Sequence, residues 1–494
     1  MSVVFSTEIT LFFVFKFSLS HRDNMPKFIK NILYWFSKDE FTCSGGYAAI
    51  WKIAYPLILM NASLTIMQVA DRIFLSRHST LEMSAAPVGG ALYFWLFSFL
   101  TVTSNFTGAI ISQLHGAGRK RDCVKAAWSA FYFALAAGAV MSVIVPLTGC
   151  ALIDHFFDHS AELSKLEKIY FISLAPCGLF QCISAPFYAF FSGRGKTKVV
   201  AAINVGGCFI NLLLNYILIF GALGAPELGI TGAGIATSIS MGINFLMILT
   251  VFLSVNQKIY RTRNFRQFSR DIPLKLLRFG TLAGIQVFCT FGSFNVMLIA
   301  IGRIGETALA ASNIALAINS IVFMPLMGFS ESTAIIVGNF IGARRTNPAK
   351  RAAYRVLRMA LLYMFCCVAL YLSIPETLAR LFAPAQGNGM SFNDVQSLAV
   401  NLLMLMSLFG ISDSTIQVFC GALRGSGDTL AMMTICSVCA ILKAAVALYL
   451  TKCGVSVMAI WWIEIITCAV EATLITIRFR SGAWRKIKLI QAGQ

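Results

Sequence analysis

Seven ionisable side chains fall inside long apolar runs of the sequence: Asp71, Arg72, Glu331, Asp413, Lys443, Glu464 and Glu471. A charge at the centre of a bilayer costs about 2.5–3.5 kcal/mol on insertion scales, so each one must face a cavity or a partner. A carboxylate in a partly dehydrated cleft holds a proton more tightly and also ligates Na⁺ together with amide and hydroxyl oxygens. Cation uptake and release is therefore the chemistry on offer.

Asp71 has polar company. At 100° per residue, Asn61, Thr65, Gln68 and Arg72 fall within a wedge of about 120° on its helix, a face expected to meet protein or water. The competing reading is an ion pair with a nearby Arg or Lys that only locks helix packing. Asp413 lies deep in NLLMLMSLFGISDSTIQVFCGALRG, with Gln417 one turn on along the same stripe. Glu331, in GFSESTAIIVG, sits among small polar residues and is a third coupling candidate. Lys443 and Glu464 lie at matching depths on consecutive helices and read as a structural intramembrane pair, with Glu471 as the alternative partner. Gln181, Asn211, Asn215, Gln286 and Asn295 are polar positions expected to support these groups.

The elements that hold such residues follow from composition. The chain has 494 residues, 57% hydrophobic and 12% charged, and runs of roughly 20 apolar residues, enough to cross a hydrocarbon core, recur along its length. This is an all-α integral membrane protein. Twelve transmembrane helices are expected near 47–75, 84–114, 125–149, 166–192, 197–220, 230–255, 273–302, 308–341, 350–374, 394–423, 429–451 and 456–479. The formal charge of +19 belongs to topology, not to nucleic acid: alternate loops (116–125, 192–198, 256–278, 342–351, 423–429) are basic and face the cytoplasm, as do both termini. Most of the fourteen cysteines lie in apolar runs and read as small buried hydrophobes. Residues 1–46 form an N-terminal extension and lead-in, of which 1–24 look dispensable.

The basic loop at the middle divides the chain into lobes 47–255 and 273–480, joined by a linker, 256–272, and followed by a tail, 481–494. An internal repeat supports the division. IISQLHGAGRKRDCVKAAW (110–128) aligns without a gap on IVGNFIGARRTNPAKRAAY (336–354), and FFSGRGKT (190–197) on ALRGSGDT (422–429). The halves thus run the same way through the membrane, a parallel repeat around a central cleft. The second alignment makes Gln181 the counterpart of Asp413, and the rough counterpart of Asp71 is Asn295 or Val296. Aromatics such as Phe94, Trp95, Phe97, Trp461 and Trp462 are expected mostly toward lipid or its interface. GRGKT (193–197) lacks the upstream glycine of a phosphate-binding loop, and the Cys436/Cys439 pair has no neighbouring ligand, so neither nucleotide nor metal binding is expected. None of the five histidines lies in a helix core, which argues against an enzyme.

NLLLNYILIFGALGAPELGITGAGIATSI (211–239), the Pro56 to Asp71 spacing, GAGRK (116–120), the segment 308–343 and GALRGSGDT (421–429) together resemble the multidrug and toxin extrusion (MATE) family, NorM-type branch. The resemblance spans 47–480. It implies a two-lobed antiporter of the inner (plasma) membrane that exports amphipathic, often cationic compounds against Na⁺ or H⁺, without a cofactor beyond that ion. It places Asp71 on the family's helix 1 acid and Asp413 on its helix 10 acid, the positions where a transient Na⁺ would bind. Helix 7 departs from the pattern: 284–296 has no acid, Gln286 or Thr290 standing near its place, and Glu331 is the candidate to compensate. The expected partners are a small organic substrate and membrane lipid, with no nucleic acid, and the expected state is a monomer. A flippase for lipid-linked oligosaccharides is the alternative in the same superfamily. It would line its cavity with several Arg or Lys, whereas here only Arg72 and Lys443 lie in the membrane.

Overall fold

Apolar runs this long satisfy their own backbone only as helices once water is excluded, and the computed structural model is nearly all helix. It describes residues 40–41, 43, 45–156, 160–380, 392–487 and 489–490. The expectations for 1–24, most of the lead-in, His21, His159 and the end of the tail lie outside the described residues.

Among the described residues twelve helices are long and apolar enough to cross a membrane: α1 (Tyr47–His78), α2 (Leu81–Gly116), α3 (Lys120–His155), α4 (Ala161–Ser192), α5 (Thr197–Phe220), α6 (Gly229–Ser254), α7 (Asp271–Gly302), α8 (Glu306–Gly342), α9 (Thr346–Ser373), α10 (Asn393–Ser426), α11 (Thr429–Lys452) and α12 (Val457–Ser481). The shortest have 24 residues, about 36 Å at 1.5 Å per residue, enough to exceed the hydrocarbon core. Several run past the ends expected from hydropathy, which registers only the apolar part. Thus α3 begins at Lys120 rather than near 125, and α4 begins at Ala161 because Ser160 Oγ accepts from Leu163 N at 3.4 Å and caps it. The outer surfaces carry Leu147, Phe209 and Phe365, each about 70% exposed (69%, 68% and 70%), tolerable only where lipid covers them.

Packing repeats with a step of six. In the first half α1 packs on α5, α2 and α3 on α4, and α4 and α5 on α6; in the second, α7 packs on α11, α8 and α9 on α10, and α10 and α11 on α12. The halves meet where α1 crosses α8 and α2 crosses α7. There Trp95 donates its indole N–H to Phe288 O at 3.0 Å and stacks on the Phe288 ring.

Residues 256–270 do more than connect. Trp128 of α3 donates to Thr262 O (2.9 Å), Tyr132 to Phe265 O (2.7 Å), and Ser129 accepts from Ser269 N (2.8 Å), so this basic stretch is strapped onto α3. Three aromatic expectations are corrected, Trp95 among them, since it is half-buried in the contact between the lobes. Phe97 and Trp461 are 1% and 4% exposed, and Trp461 donates to Ser312 of α8 at 3.2 Å; an indole that finds a hydrogen-bond acceptor can be buried inside the protein. Phe94 and Trp462 are exposed as expected. All fourteen cysteines are free thiols, eight of them buried.

Candidate functional site

The α5 sequence NLLLN places Asn211 and Asn215 four residues apart, on one face of the helix. That face turns inward, both side chains being fully buried. Close approach of α6 is permitted by Gly207, where a Cβ would lie 2.1 Å from Asn244 Oδ1. The result is a polar chain across three helices. Asn215 Nδ2 donates to Asp71 Oδ1 of α1 at 2.5 Å and to Asn211 Oδ1 at 2.9 Å, and Asn211 Nδ2 donates to Thr237 Oγ1 of α6 at 3.3 Å. Asp71 is 8% exposed.

Among the described residues no cationic nitrogen forms a salt bridge with Asp71. The ion-pair reading of this acid thus lacks its partner, and what holds the carboxylate is a neutral amide. Asn215 Oδ1 is buried without a donor, which leaves beside Asp71 an oxygen that a bare cation or the hydroxyl of a protonated carboxyl would satisfy.

The expected wedge around Asp71 divides. Asn61 is buried with it, its Nδ2 lacking an acceptor, but ten residues of helix separate the two by about 15 Å along the axis. Gln68 and Arg72 have exposed side chains and make no hydrogen bond to the carboxylate. A helical wheel fixes direction but not depth, nor where the neighbouring helix ends its cover. Thr237 was missed: a threonine in the small-residue run GAGIATSI gives no polar signal until α6 is docked on α5.

In the second half, Gln417 Nε2 donates to Asp413 Oδ1 at 3.4 Å, one helical turn along the stripe, and Asp413 is 7% exposed. Lys443 meets Glu464 at 3.0 and 3.2 Å, with both residues buried; Glu471 forms no salt bridge to this lysine. Glu331 lies on α8, the helix that packs against α10. Its neighbour Ser330 donates to Gln417 O (2.7 Å) and accepts from Arg424 (3.2 Å), while Glu331 itself has no salt bridge among the described residues. Gln286 donates to Thr290 Oγ1 at 3.3 Å within α7. Asn295 folds back on Phe291 O at 2.9 Å, so the rough counterpart of Asp71 bonds its own helix. Gln181 is half-buried on α4. The two halves share a scaffold and differ in chemistry.

No group of three or more His, Cys, Asp or Glu among the described residues is arranged to hold a metal ion.

With this geometry in view, the chain can be compared with known proteins. Residues 56–217 and 283–449 match the family model described as MatE. The chain is 26% identical over 448 residues to the probable multidrug resistance protein NorM of Thermotoga maritima, covering 88% of this chain and 92% of that protein. It is 28% identical over 393 residues to the multidrug resistance protein PmpM of Pseudomonas aeruginosa, covering 77% and 79%. Among solved structures, a MOP superfamily transporter from Pyrococcus furiosus superimposes with a TM-score of 0.79 at 19% identity, over 91% of this chain and 99% of that one. A multidrug resistance MATE family transporter solved in an outward-facing conformation gives 0.78 at 19%, over 89% and 96%.

Proposed function

The chain belongs to the MatE family, and from that premise we propose that it exports amphipathic, cationic organic compounds by antiport against inward Na⁺ or H⁺. It is a multi-pass membrane protein. Members of its family are transporters rather than enzymes, and the relatives named above are multidrug resistance proteins. The observation that carries the proposal is Asp71: a buried carboxylate held by Asn215, without a salt-bridge partner, beside an amide oxygen that lacks a donor.

Such a group binds one small cation or one substrate charge at a time. Antiport follows when the two occupants favour opposite-facing states of the same protein, so that substrate leaves on one side and the cation enters from it. Asp413, braced by Gln417, is the acid of the second lobe, on a helix that the repeat pairs with α4 and not with α1. Lys443 and Glu464 neutralise each other and hold α11 to α12. With the basic loops in the cytoplasm both termini are cytoplasmic, in the plasma membrane, and each monomer carries a complete pathway surrounded by lipid.

The test is reconstitution in liposomes with a fluorescent organic cation, imposing a Na⁺ gradient and a pH gradient separately. Efflux driven by either supports antiport and identifies the ion. Efflux indifferent to both removes it.

A further inference from the structure

Two contacts between the lobes are related by the internal repeat. The alignment of 110–128 on 336–354 makes Gln113 the counterpart of Asn339 and Gly116 that of Gly342; the alignment of 190–197 on 422–429 pairs Gly193 with Gly425. In the structure these residues meet crosswise. Gln113 Nε2 of α2 donates to Gly425 O of α10 at 2.9 Å, and Asn339 Nδ2 of α8 donates to Gly193 O at the end of α4 at 3.1 Å.

The glycines explain how the helices come this close. A Cβ on Gly116 would lie 1.9 Å from Asn339 O, and a Cβ on Gly342 would lie 1.9 Å from Gln113 O. Each glycine thus packs on the carbonyl of the other lobe's amide residue, and only a hydrogen fits. Gln113 is 1% exposed. Both contacts lie at the end of the helices that carries the basic loops 116–125 and 342–351.

We propose that Gln113 and Asn339 are the paired positioning residues of a latch that holds the basic-loop end of the cleft shut, each lobe supplying one amide and one glycine carbonyl. This deepens the alternating-access reading above and rests on it for its role in transport. An amide serves here because it is uncharged: it donates across a largely buried seam without the desolvation cost of an ion, and a bond of modest net strength breaks on each cycle. Opening to that side parts two hydrogen bonds and two glycine contacts together. The closed seam thus behaves as one two-state element.

Hydrogen exchange followed by mass spectrometry on the full chain in lipid nanodiscs, without substrate, tests the latch separately from transport. Gln113→Ala or Asn339→Ala is expected to raise exchange in 110–119, 190–196, 336–345 and 423–428 about fivefold, and the pair about twentyfold, while helix segments away from the seam keep their protection. Gly342→Ala retains both amides but wedges the seam, and is expected to raise exchange in the same segments. Gln113→Asn, which keeps an amide, restores most of the protection. Unchanged exchange at the seam in the double variant and in Gly342→Ala overturns the latch. Increased exchange at the seam in a protein whose wild type shows no gradient-driven efflux leaves the latch standing and removes the antiport reading instead.

Discussion

Asn215 of α5 donates both hydrogens of one side-chain nitrogen, to Asp71 Oδ1 at 2.5 Å and to Asn211 Oδ1 at 2.9 Å. The carboxylate is therefore fixed to α5, and the same chain of hydrogen bonds continues through Asn211 to Thr237 on α6. Asp71→Asn keeps the shape and an oxygen acceptor but removes the charge. It is expected to lower gradient-driven efflux at least about tenfold while the protein still reaches the membrane. Asn215→Ala deletes a hydrogen bond to a charged group, worth about 1.5–3 kcal/mol, and should give a comparable loss. Efflux of a fluorescent cation from proteoliposomes measures both, and wild-type rates from Asp71→Asn would remove this acid from the mechanism.

Asp413 is held more loosely, by Gln417 at 3.4 Å from the same helix, with no side-chain hydrogen bond to another helix among the described residues. On the proposed function, neutralising it is expected to leave helix packing intact and to change the charge offered to substrate. Asp413→Asn is expected to narrow or shift the range of exported cations more than it lowers expression. Initial efflux rates across a panel of cations differing in size and charge provide the readout, and an unchanged profile assigns Asp413 to structure.

These acids differ in how far the sequence announces them. Asp71 and Asp413 interrupt apolar runs and are visible at once, and the Lys443–Glu464 contact follows from equal depth on consecutive helices of opposite direction. The binding partner of Asp71 is another matter. Asn211 and Asn215 stand four apart in NLLLN, a spacing that predicts a shared polar face, but nothing local says which helix that face meets. That information lies in the packing of α5 on α1, set by many weak contacts such as Cys208 Sγ on Ser63 O at 3.4 Å. The same limit explains Gln68 and Arg72, which share the wheel sector of Asp71 and are nonetheless exposed. It also explains Trp461, whose burial depends on Ser312, 149 residues away.

Lys443 and Glu464 supply a test of structure against transport. Each is buried, and they pair at 3.0 Å. Removing one partner strands the other charge, so Lys443→Met or Glu464→Leu alone is expected to cost about 3–5 kcal/mol, whereas the double variant should return to within about 1 kcal/mol of wild type. Thermal unfolding in detergent gives the comparison, and the double variant should still drive efflux. Loss of efflux in a double variant of wild-type stability would assign the pair to the transport cycle.

The last expectation concerns pH outside the membrane. Glu40, ahead of α1, pairs with Arg355 of α9 at 2.5 Å, and Arg355 also donates to Gly45 O at 3.1 Å, pinning the entry to α1 against the second lobe. The hydrogen bond from the Arg355 guanidinium holds the Glu40 carboxyl below its ordinary value of 4.5. A carboxyl whose folded value is depressed binds its proton more readily when unfolded. Its contribution is therefore fully present above pH 4.5 and is lost as pH falls through the lower, folded value. Above pH 4.5 the wild type should exceed Glu40→Gln by about 1 kcal/mol, a figure kept small because the glutamate is partly solvated. As pH falls below 4.5 and through the folded value the two unfolding curves should converge. A gap that does not narrow as pH falls, measured by thermal unfolding in detergent across the range, would assign the difference to packing of the side chain and not to its charge.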